Sequence, residues 1–216
     1  MTEDAVFRLN DLRPGGEFLE PVNVSVKPGQ FVLWVIDNPN LYSLMWELVL
    51  GLAEPADGRI FWFNEPKPSE SAQWEQSAFL SRLGWVAKNS RLLSSRTLLN
   101  NLTLYFEYTL GWPTGEAEAR GLKWLERAGL SDKAHILGEN IPAALQPIAL
   151  LVQALAREPK LFFLDRPKFL FEADFSLAWE LLSELKSGGL ALVIFDYSPE
   201  PWALELAAQE LALITS

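Results

Sequence analysis

The sequence predicts an α/β protein with a mostly parallel sheet core, an antiparallel N-terminal β part and an inserted helical subdomain. Three short apolar runs carry this prediction, because strands buried on both faces read as continuous hydrophobic stretches. They are FVLWVI (31–36), KLFFLD (160–165) and GGLALVIFD (188–196). Amphipathic helical patterns separate them, and strands that alternate with helices are typical of a parallel sheet.

Composition excludes several kinds of site. The 216 residues include no cysteine and one histidine, His135, so disulfides, thiolates and histidine-rich metal sites are excluded. A net charge of −10 and the absence of a basic run argue against a nucleic-acid partner. The acidic start MTEDAVFRLNDL has no signal pattern, and no apolar stretch approaches ~20 residues. We therefore expect a cytoplasmic protein.

The first third of the chain predicts two short strands, a buried strand and a helix. VFRLNDL (6–12) and PVNVSVKPGQ (21–30) are strand-like around the turn Gly15–Gly16. After the buried strand 31–36, one helical face that ends near Gly51 is predicted. Its apolar positions are Leu41, Leu44, Met45, Leu48, Val49 and Leu52. A turn at Asp57–Gly58 then leads into the strand DGRIFWFN (57–64).

The middle of the chain is mostly helical. Periodic segments occur at 97–112, 115–130 and 141–156, the first two joined near Pro113, and a further helix is predicted at 175–186. The block lies between buried strands, which indicates an insertion. We predict one domain over residues 1–216, with an α/β core formed by 1–87 and 156–216 and a helical subdomain at 88–155.

The order of these landmarks resembles the nucleotide-binding subunit of ABC transporters, which have a P-loop NTPase-like fold. The segments KPGQFVLWV…GLAEPADGRI, LGWVAKNSRLLSSRTLLNNL, ALAREPKLFFLDRP and GGLALVIFD carry the resemblance. It extends over nearly the whole chain. Residues 100–133 also resemble, more weakly, the ATPases of MCE-type bacterial lipid-transport systems.

The resemblance implies a phosphate-binding loop, and this chain departs from it. The family reads Gly-x-x-Gly-x-Gly-Lys-Ser-Thr where this sequence has IDNPNLYSL (36–44). All three glycines are absent, Tyr42 stands at the lysine position, and only Ser43 remains.

The other positions that the resemblance implies are altered in a similar way. Lys88 replaces the metal-sensing glutamine, and IPAAL (141–145) replaces the signature Leu-Ser-Gly-Gly-Gln. The Walker B aspartate remains as Asp165. Arg166 stands at the position of the glutamate that activates water, and Phe195 stands at that of the switch histidine.

These substitutions remove the chemistry that nucleotide needs. Pro39 has no N–H, and a β-branched residue such as Ile36 resists the positive φ that a phosphate cradle uses. Arg166 has donors and no acceptor, so it cannot be a general base. We expect no catalytic residue, no metal and no cofactor at the degenerate positions Tyr42, Ser43, Lys88 and Asp165, with Mg-ATP as the alternative.

The helix that follows the loop has its own end signals. Asn38 or Asn40 is expected to cap it, with Pro39 in the first turn. Two interpretations of Asp37 stay open. In one, its carboxylate takes the place of the phosphate at the positive end of the helix dipole; in the other, the turn is exposed to solvent and has no such role. Asp165 is expected to pair with Arg166 or Lys168.

The resemblance also implies a groove that accepts a short helix of a membrane subunit. The residues predicted near it are Trp85, Lys88, Leu92, Leu93, Phe106 and Tyr108. Packing in the helical core is the alternative for the aromatic members of this set.

The leading hypothesis is therefore a catalytically inactive ABC-type subunit. It would serve a transporter of lipid or another hydrophobic solute from the inner face of the membrane. Its partners would be a transmembrane permease and a second cassette, in a homodimer or heterodimer. The alternatives are a cassette that binds or hydrolyses ATP in a rearranged or heterodimeric site, and a soluble adaptor without a membrane partner.

Overall fold

The structure is a computed structural model that describes residues 5–16, 20–66, 81–198 and 211–215. The strands are β1 Phe7–Arg13, β2 Val22–Val26, β3 Phe31–Val35, β4 Asp57–Trp62, β5 Glu65–Pro66, β6 Leu83–Val86, β7 Leu161–Asp165, β8 Ala191–Asp196 and β9 Leu211–Thr215. The helices are α1 Pro39–Val49, α2 Leu98–Tyr108, α3 Thr114–Arg127, α4 Gln146–Leu155, α5 Pro167–Leu170 and α6 Phe175–Lys186. Short 3-10 turns lie at Ser131–Lys133, Gly138–Asn140 and Ala143–Leu145.

The chain divides into two compact units. The first contains residues 1–76, 160–166 and 186–216, and the second contains 77–159 and 167–185. The predicted boundaries of the helical subdomain, 88–155, stay a prediction.

A parallel sheet forms the centre of the first unit, with neighbours in the order β7-β8-β3-β9. Leu33 lies opposite Ile194, and Asp165 lies opposite Phe195. All residues of β3, β7 and β8 are buried, as their continuous apolar composition requires. The register brings the carboxyl ends of these strands to one edge, where open α/β sheets place their sites.

An antiparallel sheet of order β2-β1-β4-β5 forms the rest of the first unit. Its strands alternate buried and exposed residues over part of their length. Gly58 in β4 has a φ of +84°, and a Cβ there would lie 2.3 Å from the carbonyl oxygen of Asp11. Only glycine fits such a close approach of two strands.

The second unit is built mainly on helices. α2 and α3 pack closely because Gly121 lies against α2, where a Cβ would be 2.7 Å from a methyl group of Leu99. Asn101 is 2% exposed, and its side chain binds the chain before α2: it donates to the carbonyl of Leu93 and accepts from the same residue's N–H. This segment is therefore fixed to the helix.

The structure confirms the predicted fold class, with its parallel sheet, antiparallel β part and helices. Two details of the sequence analysis are wrong. Leu52 does not continue the buried face of α1, because the helix ends at Val49 and Leu52 is 73% exposed. Asp57 and Gly58 begin β4 rather than forming a turn before it. Within the described ranges, no helix is long and apolar enough to cross a bilayer.

Candidate functional site

The first turn of α1 uses its own N–H groups internally. Pro39 has none, and the Asn38 side chain accepts from the backbone N–H of Asn40 at 2.9 Å and of Leu41 at 3.2 Å. The N–H of Tyr42 donates to the carbonyl of Asn38. The predicted cap at Asn38 is confirmed, and a phosphate at this helix end would have to displace it. Asp37 is exposed, and its proposed role as an anion stays a prediction.

Replacing Asn38 by alanine is expected to lower the free energy of unfolding by about 1 kcal/mol, because two amide groups lose their acceptor. Urea unfolding followed by circular dichroism measures the change. Asn40→Ala is the matched control, since Asn40 is exposed and its side chain is not the cap. Equal losses in the two variants would contradict the capping role.

The Ser43 hydroxyl, the remaining residue of the phosphate-loop motif, is also engaged. It donates to the carbonyl of Pro39 at 3.0 Å, four residues earlier in the same helix. Back-bonding of this kind is a common local use of serine in a helix. No ligand is needed to explain the position.

The buried side chains of Tyr42 and Asp165 and the partly buried side chain of Arg166 form a polar cluster at the carboxyl end of β7. The Tyr42 hydroxyl donates to Oδ1 of Asp165 at 2.5 Å, and Nε of Arg166 lies 3.0 Å from the same oxygen. Asp165 is 6% exposed and Tyr42 is 5% exposed. The predicted pairing of Asp165 with Arg166 is confirmed; Lys168 instead lies over the ring of Phe175.

The surroundings of the Tyr42 hydroxyl and the Arg166 guanidinium raise the pKa of both groups. Burial raises the pKa of the Tyr42 hydroxyl far above its usual value, and the charge of Asp165 raises it further. Burial lowers the pKa of Arg166, but its hydrogen bond to Asp165 and that residue's charge outweigh burial, so the pKa is raised overall. A neutral phenol and a fixed guanidinium therefore face Asp165, and neither can accept a proton from water.

Phe195 is the centre of an aromatic cluster. It is fully buried, and its ring centroid lies 5.2 Å from those of both Trp34 and Trp46 and 6.0 Å from that of Tyr42. Its backbone carbonyl accepts from the N–H of Arg166 at 2.8 Å. The position thus supplies packing and a backbone acceptor.

Tyr197 completes the cluster, and the sequence analysis did not single it out. The ring centroids of Tyr197 and Tyr42 lie 4.4 Å apart, and the Arg166 guanidinium carbon lies 5.2 Å from the centroid of the Tyr197 ring. Arg166 has a positive φ of 41°, a strained conformation for a non-glycine residue. The sequence offered one indication of this contact, an aromatic residue two positions after Phe195. Whether that residue reaches the site depends on where β8 ends, which the sequence pattern does not define.

The predicted groove residues all lie in the second unit. Trp85, Leu93 and Tyr108 are exposed by 38%, 51% and 78%. Leu92 and Phe106 are buried, and Phe106 stacks on Trp112 at 4.8 Å. The Lys88 ammonium lies 5.7 Å from the ring of Phe169. The exposed members are thus available to a partner, and the buried ones contribute to packing.

Metal ligands are not clustered in the described part of the chain, where no group of three or more His, Asp or Glu residues could hold an ion. Asp165 provides a carboxylate at the position that the resemblance matches to the Walker B aspartate, and both Tyr42 and Arg166 bind it.

Sequence comparison shows which known proteins this chain is similar to. No model of a protein family matches the chain. Over 153 residues it is 28% identical to the cell division ATP-binding protein FtsE of Haemophilus influenzae, covering 70% of this chain and 69% of the relative. Over 189 residues it is 27% identical to the lipoprotein-releasing system ATP-binding protein LolD of Aquifex aeolicus, covering 86% and 83%.

Solved structures agree in fold. The dimeric structure of MJ0796, a bacterial ABC transporter cassette, is similar with a TM-score of 0.77 and 20% identity, covering 97% of this chain and 94% of that chain. CbiO1 of Clostridium perfringens, part of an ABC transporter complex, is similar with a TM-score of 0.75 and 19% identity, covering 90% and 79%.

Proposed function

The chain belongs to the ATP-binding cassettes of ABC transporters, and from that premise we propose that it is a pseudo-ATPase. It is a structural or regulatory subunit of a membrane transporter, and it neither binds nor hydrolyses ATP. One observation carries the proposal: the side chains of Tyr42 and Arg166 bind the carboxylate of Asp165, the position where the family holds its metal.

The phosphate position supports the same proposal. The first turn of α1 donates its amides to Asn38, whereas a phosphate cradle needs N–H groups free to converge on an anion. A lysine would add a charge-assisted bond, and the neutral Tyr42 hydroxyl is already committed to Asp165. Triphosphate binding would require the cap and the buried cluster to break together.

Hydrolysis needs a base near the attacking water. The positions that supply the base and the polarising group in the family hold Arg166 and Phe195 here, and neither side chain accepts a proton. The domain keeps its packing around a site that lacks reactive groups. This combination favours a structural or regulatory role over a catalytic one.

The partners in this proposal follow from the relatives. The cassette pairs with a transmembrane permease subunit at the inner face of the membrane and dimerises with itself or with an active cassette. A hydrophobic or lipid-linked cargo is supported by the similarity to a lipoprotein-releasing ATP-binding protein. The exposed side chains of Trp85, Leu93 and Tyr108 offer apolar surface for a helix of the permease.

Two other functions remain as alternatives. In one, ATP is bound in a rearranged or heterodimeric site to which a partner cassette adds the missing groups. In the other, the chain is an adaptor without a membrane partner. Failure to co-purify with a membrane protein of several transmembrane helices would favour the adaptor.

Mg-ATP at 1–5 mM, roughly a thousand times a micromolar Kd, is expected to leave the melting temperature of the protein unchanged. A cassette with micromolar affinity would gain about 4 kcal/mol under the same conditions, which is a shift of several degrees. Thermal unfolding with and without nucleotide measures this, and the fluorescence of Trp34 and Trp46 gives a second signal, because both rings contact Phe195 beside the site.

Tyr42→Phe is the matched variant for this experiment. It removes one partner of Asp165 but leaves the capped first turn intact, so it also is expected to show no shift. An intact cassette serves as the positive control. Saturable stabilisation of the wild-type protein that disappears in Asp165→Ala would contradict the pseudo-ATPase proposal and support the rearranged ATP site.

A further inference from the structure

Strand β4 begins with the dipeptide Asp57–Gly58, the only place in the sequence where an aspartate or an asparagine precedes a glycine. In such a pair the backbone nitrogen of the glycine can attack the carboxyl carbon of the preceding side chain, because the product is a five-membered ring. A glycine has no Cβ to obstruct this attack. The bond between these two residues is therefore a candidate for a chemical change within the chain.

The side chain of Asp57 lies where the attack would begin. The backbone nitrogen of Gly58 is 2.8 Å from Oδ1 of Asp57, so the nitrogen already lies beside the carboxyl group. The Asp57 side chain is 73% exposed, and water can reach it. The Arg13 guanidinium is 4.0 Å from Oδ2, an exposed pair that holds the carboxyl group only weakly.

The pairing of β1 with β4 is interrupted opposite Gly58. Asn10 pairs with Arg59 and Arg13 pairs with Asp57, so two residues of β1 face Gly58 alone. A bulge of this kind disrupts the hydrogen-bonded ladder locally, and a disrupted segment opens at a lower free energy than the core of a sheet. Local opening at this point gives the Asp57 backbone the rotation that ring closure requires.

Other aspartates of the chain lack this combination. Asp11, Asp37 and Asp132 precede leucine, asparagine and lysine, whose side chains obstruct the backbone nitrogen. Asp165 and Asp196 are buried, at 6% and 7% exposure. The exposed carboxyl group, the adjacent unobstructed nitrogen and the interrupted ladder thus occur together at Asp57.

We propose that Asp57–Gly58 is a modification site at which isoaspartate forms in the native protein. The Gly58 nitrogen forms a bond to Cγ of Asp57, and one carboxyl oxygen leaves as water with the amide proton and the carboxyl proton. One water then opens the resulting succinimide. Cleavage of the bond from nitrogen to Cγ restores aspartate, and cleavage of the bond from nitrogen to the main-chain carbonyl carbon gives isoaspartate. No oxidant or reductant is needed, and the mass of the chain is unchanged.

Isoaspartate would lengthen the main chain by one CH₂ group where β4 begins. The strands have little room there, because a Cβ on Gly58 would lie 2.3 Å from the carbonyl oxygen of Asp11. At the other end of β4, Trp62 donates from Nε1 to the carbonyl of Val49 at 2.9 Å, which links the strand to α1. The modified protein is therefore expected to have a lower melting temperature than the fresh protein.

The test incubates the full chain at physiological temperature, in mildly acidic buffer made with oxygen-18 water, and maps its peptides after digestion in ordinary water. The peptide with residues 57 and 58 is expected to gain one oxygen-18 and to divide into two chromatographic forms. One form should accept a labelled methyl group from S-adenosylmethionine in the presence of an isoaspartyl methyltransferase. The peptide with Asp37, which is also exposed, is the internal control and should show neither change.

Two variants sharpen the result. Asp57→Glu is expected to remove the second form, because its longer side chain would have to close a six-membered ring. Asp57→Asn is expected to react faster than the wild-type protein, because a neutral amide loses ammonia without first taking up a proton.

A parallel incubation in urea measures the same bond in the unfolded chain. Isoaspartate that formed in urea but not in the native protein would overturn the proposal, and so would equal labelling of the peptides with Asp37 and Asp57. Neither nucleotide nor a membrane partner enters this experiment, so its failure would leave the pseudo-ATPase proposal standing.

Discussion

Asp165→Ala is expected to lower the free energy of unfolding by about 3 kcal/mol, because breaking a buried ion pair leaves the remaining partners without compensation. The Tyr42 hydroxyl and the Arg166 guanidinium both bind this carboxylate, and Tyr42 is almost fully buried. Urea unfolding at pH 7 measures the loss. In a working cassette the same carboxylate would serve magnesium and would contribute little to the stability of the empty protein.

Asp37→Ala is the matched control, since Asp37 is an exposed carboxylate near the same helix end. Its expected change is within about 0.5 kcal/mol. Tyr42→Phe should lower the free energy of unfolding less than Asp165→Ala does, because in that variant Asp165 keeps Arg166 as a partner. If Asp165→Ala were as stable as the wild-type protein, the contacts of Asp165 with Tyr42 and Arg166 would not stabilise the loop 36–44. That result would weaken the pseudo-ATPase proposal.

The sequence predicted most of the fold because its signals are local. Continuous apolar runs identified β3, β7 and β8, and the residue types around Pro39 predicted a cap at Asn38 or Asn40, of which the structure shows Asn38. Leu52 was assigned wrongly since periodicity does not show where a helix stops. Gly51, with a φ of +72°, ends the regular pattern one residue earlier.

The contents of the site were only partly predictable. Substitution of the reactive residues could be read from the resemblance, and the basic neighbours of Asp165 predicted an ion pair with either Arg166 or Lys168. The hydrogen bond from Tyr42 to Asp165 joins residues 123 positions apart, and no local pattern encodes it. Likewise, the contact between the rings of Tyr197 and Tyr42 depends on the parallel register that places β8 between β7 and β3.

If the chain is a pseudo-ATPase, as proposed, these contacts together explain how the cassette fold would be stabilised without a bound nucleotide. In the family, phosphate and metal neutralise the helix end and the Walker B carboxylate. Here Asn38 caps the helix end, and Tyr42 and Arg166 compensate the carboxylate. The substituted side chains thus supply within the chain the hydrogen bonds and the charge that a nucleotide would bring.

Phe195→Ala is expected to have the largest effect, a loss of about 4 kcal/mol in the free energy of unfolding. Phe195 is fully buried, and truncation would leave a cavity between the rings of Trp34, Trp46 and Tyr42. Thermal and urea unfolding measure the change. Tyr108→Ala is the control for loss of an aromatic ring, because Tyr108 is 78% exposed and its change should stay within about 0.5 kcal/mol.

The Phe195→His variant tests whether this position contributes only to packing. It introduces the histidine that the family has at the switch position. The imidazole would lie among aromatic rings, so the variant is expected to lose about 2 kcal/mol and to remain without ATP hydrolysis. A buried neutral histidine binds a proton less readily than an unfolded one, so its stability should fall further as the pH drops below about 6.5. A Phe195→His variant as stable as the wild-type protein, or one that hydrolysed ATP, would contradict a purely structural role for this position.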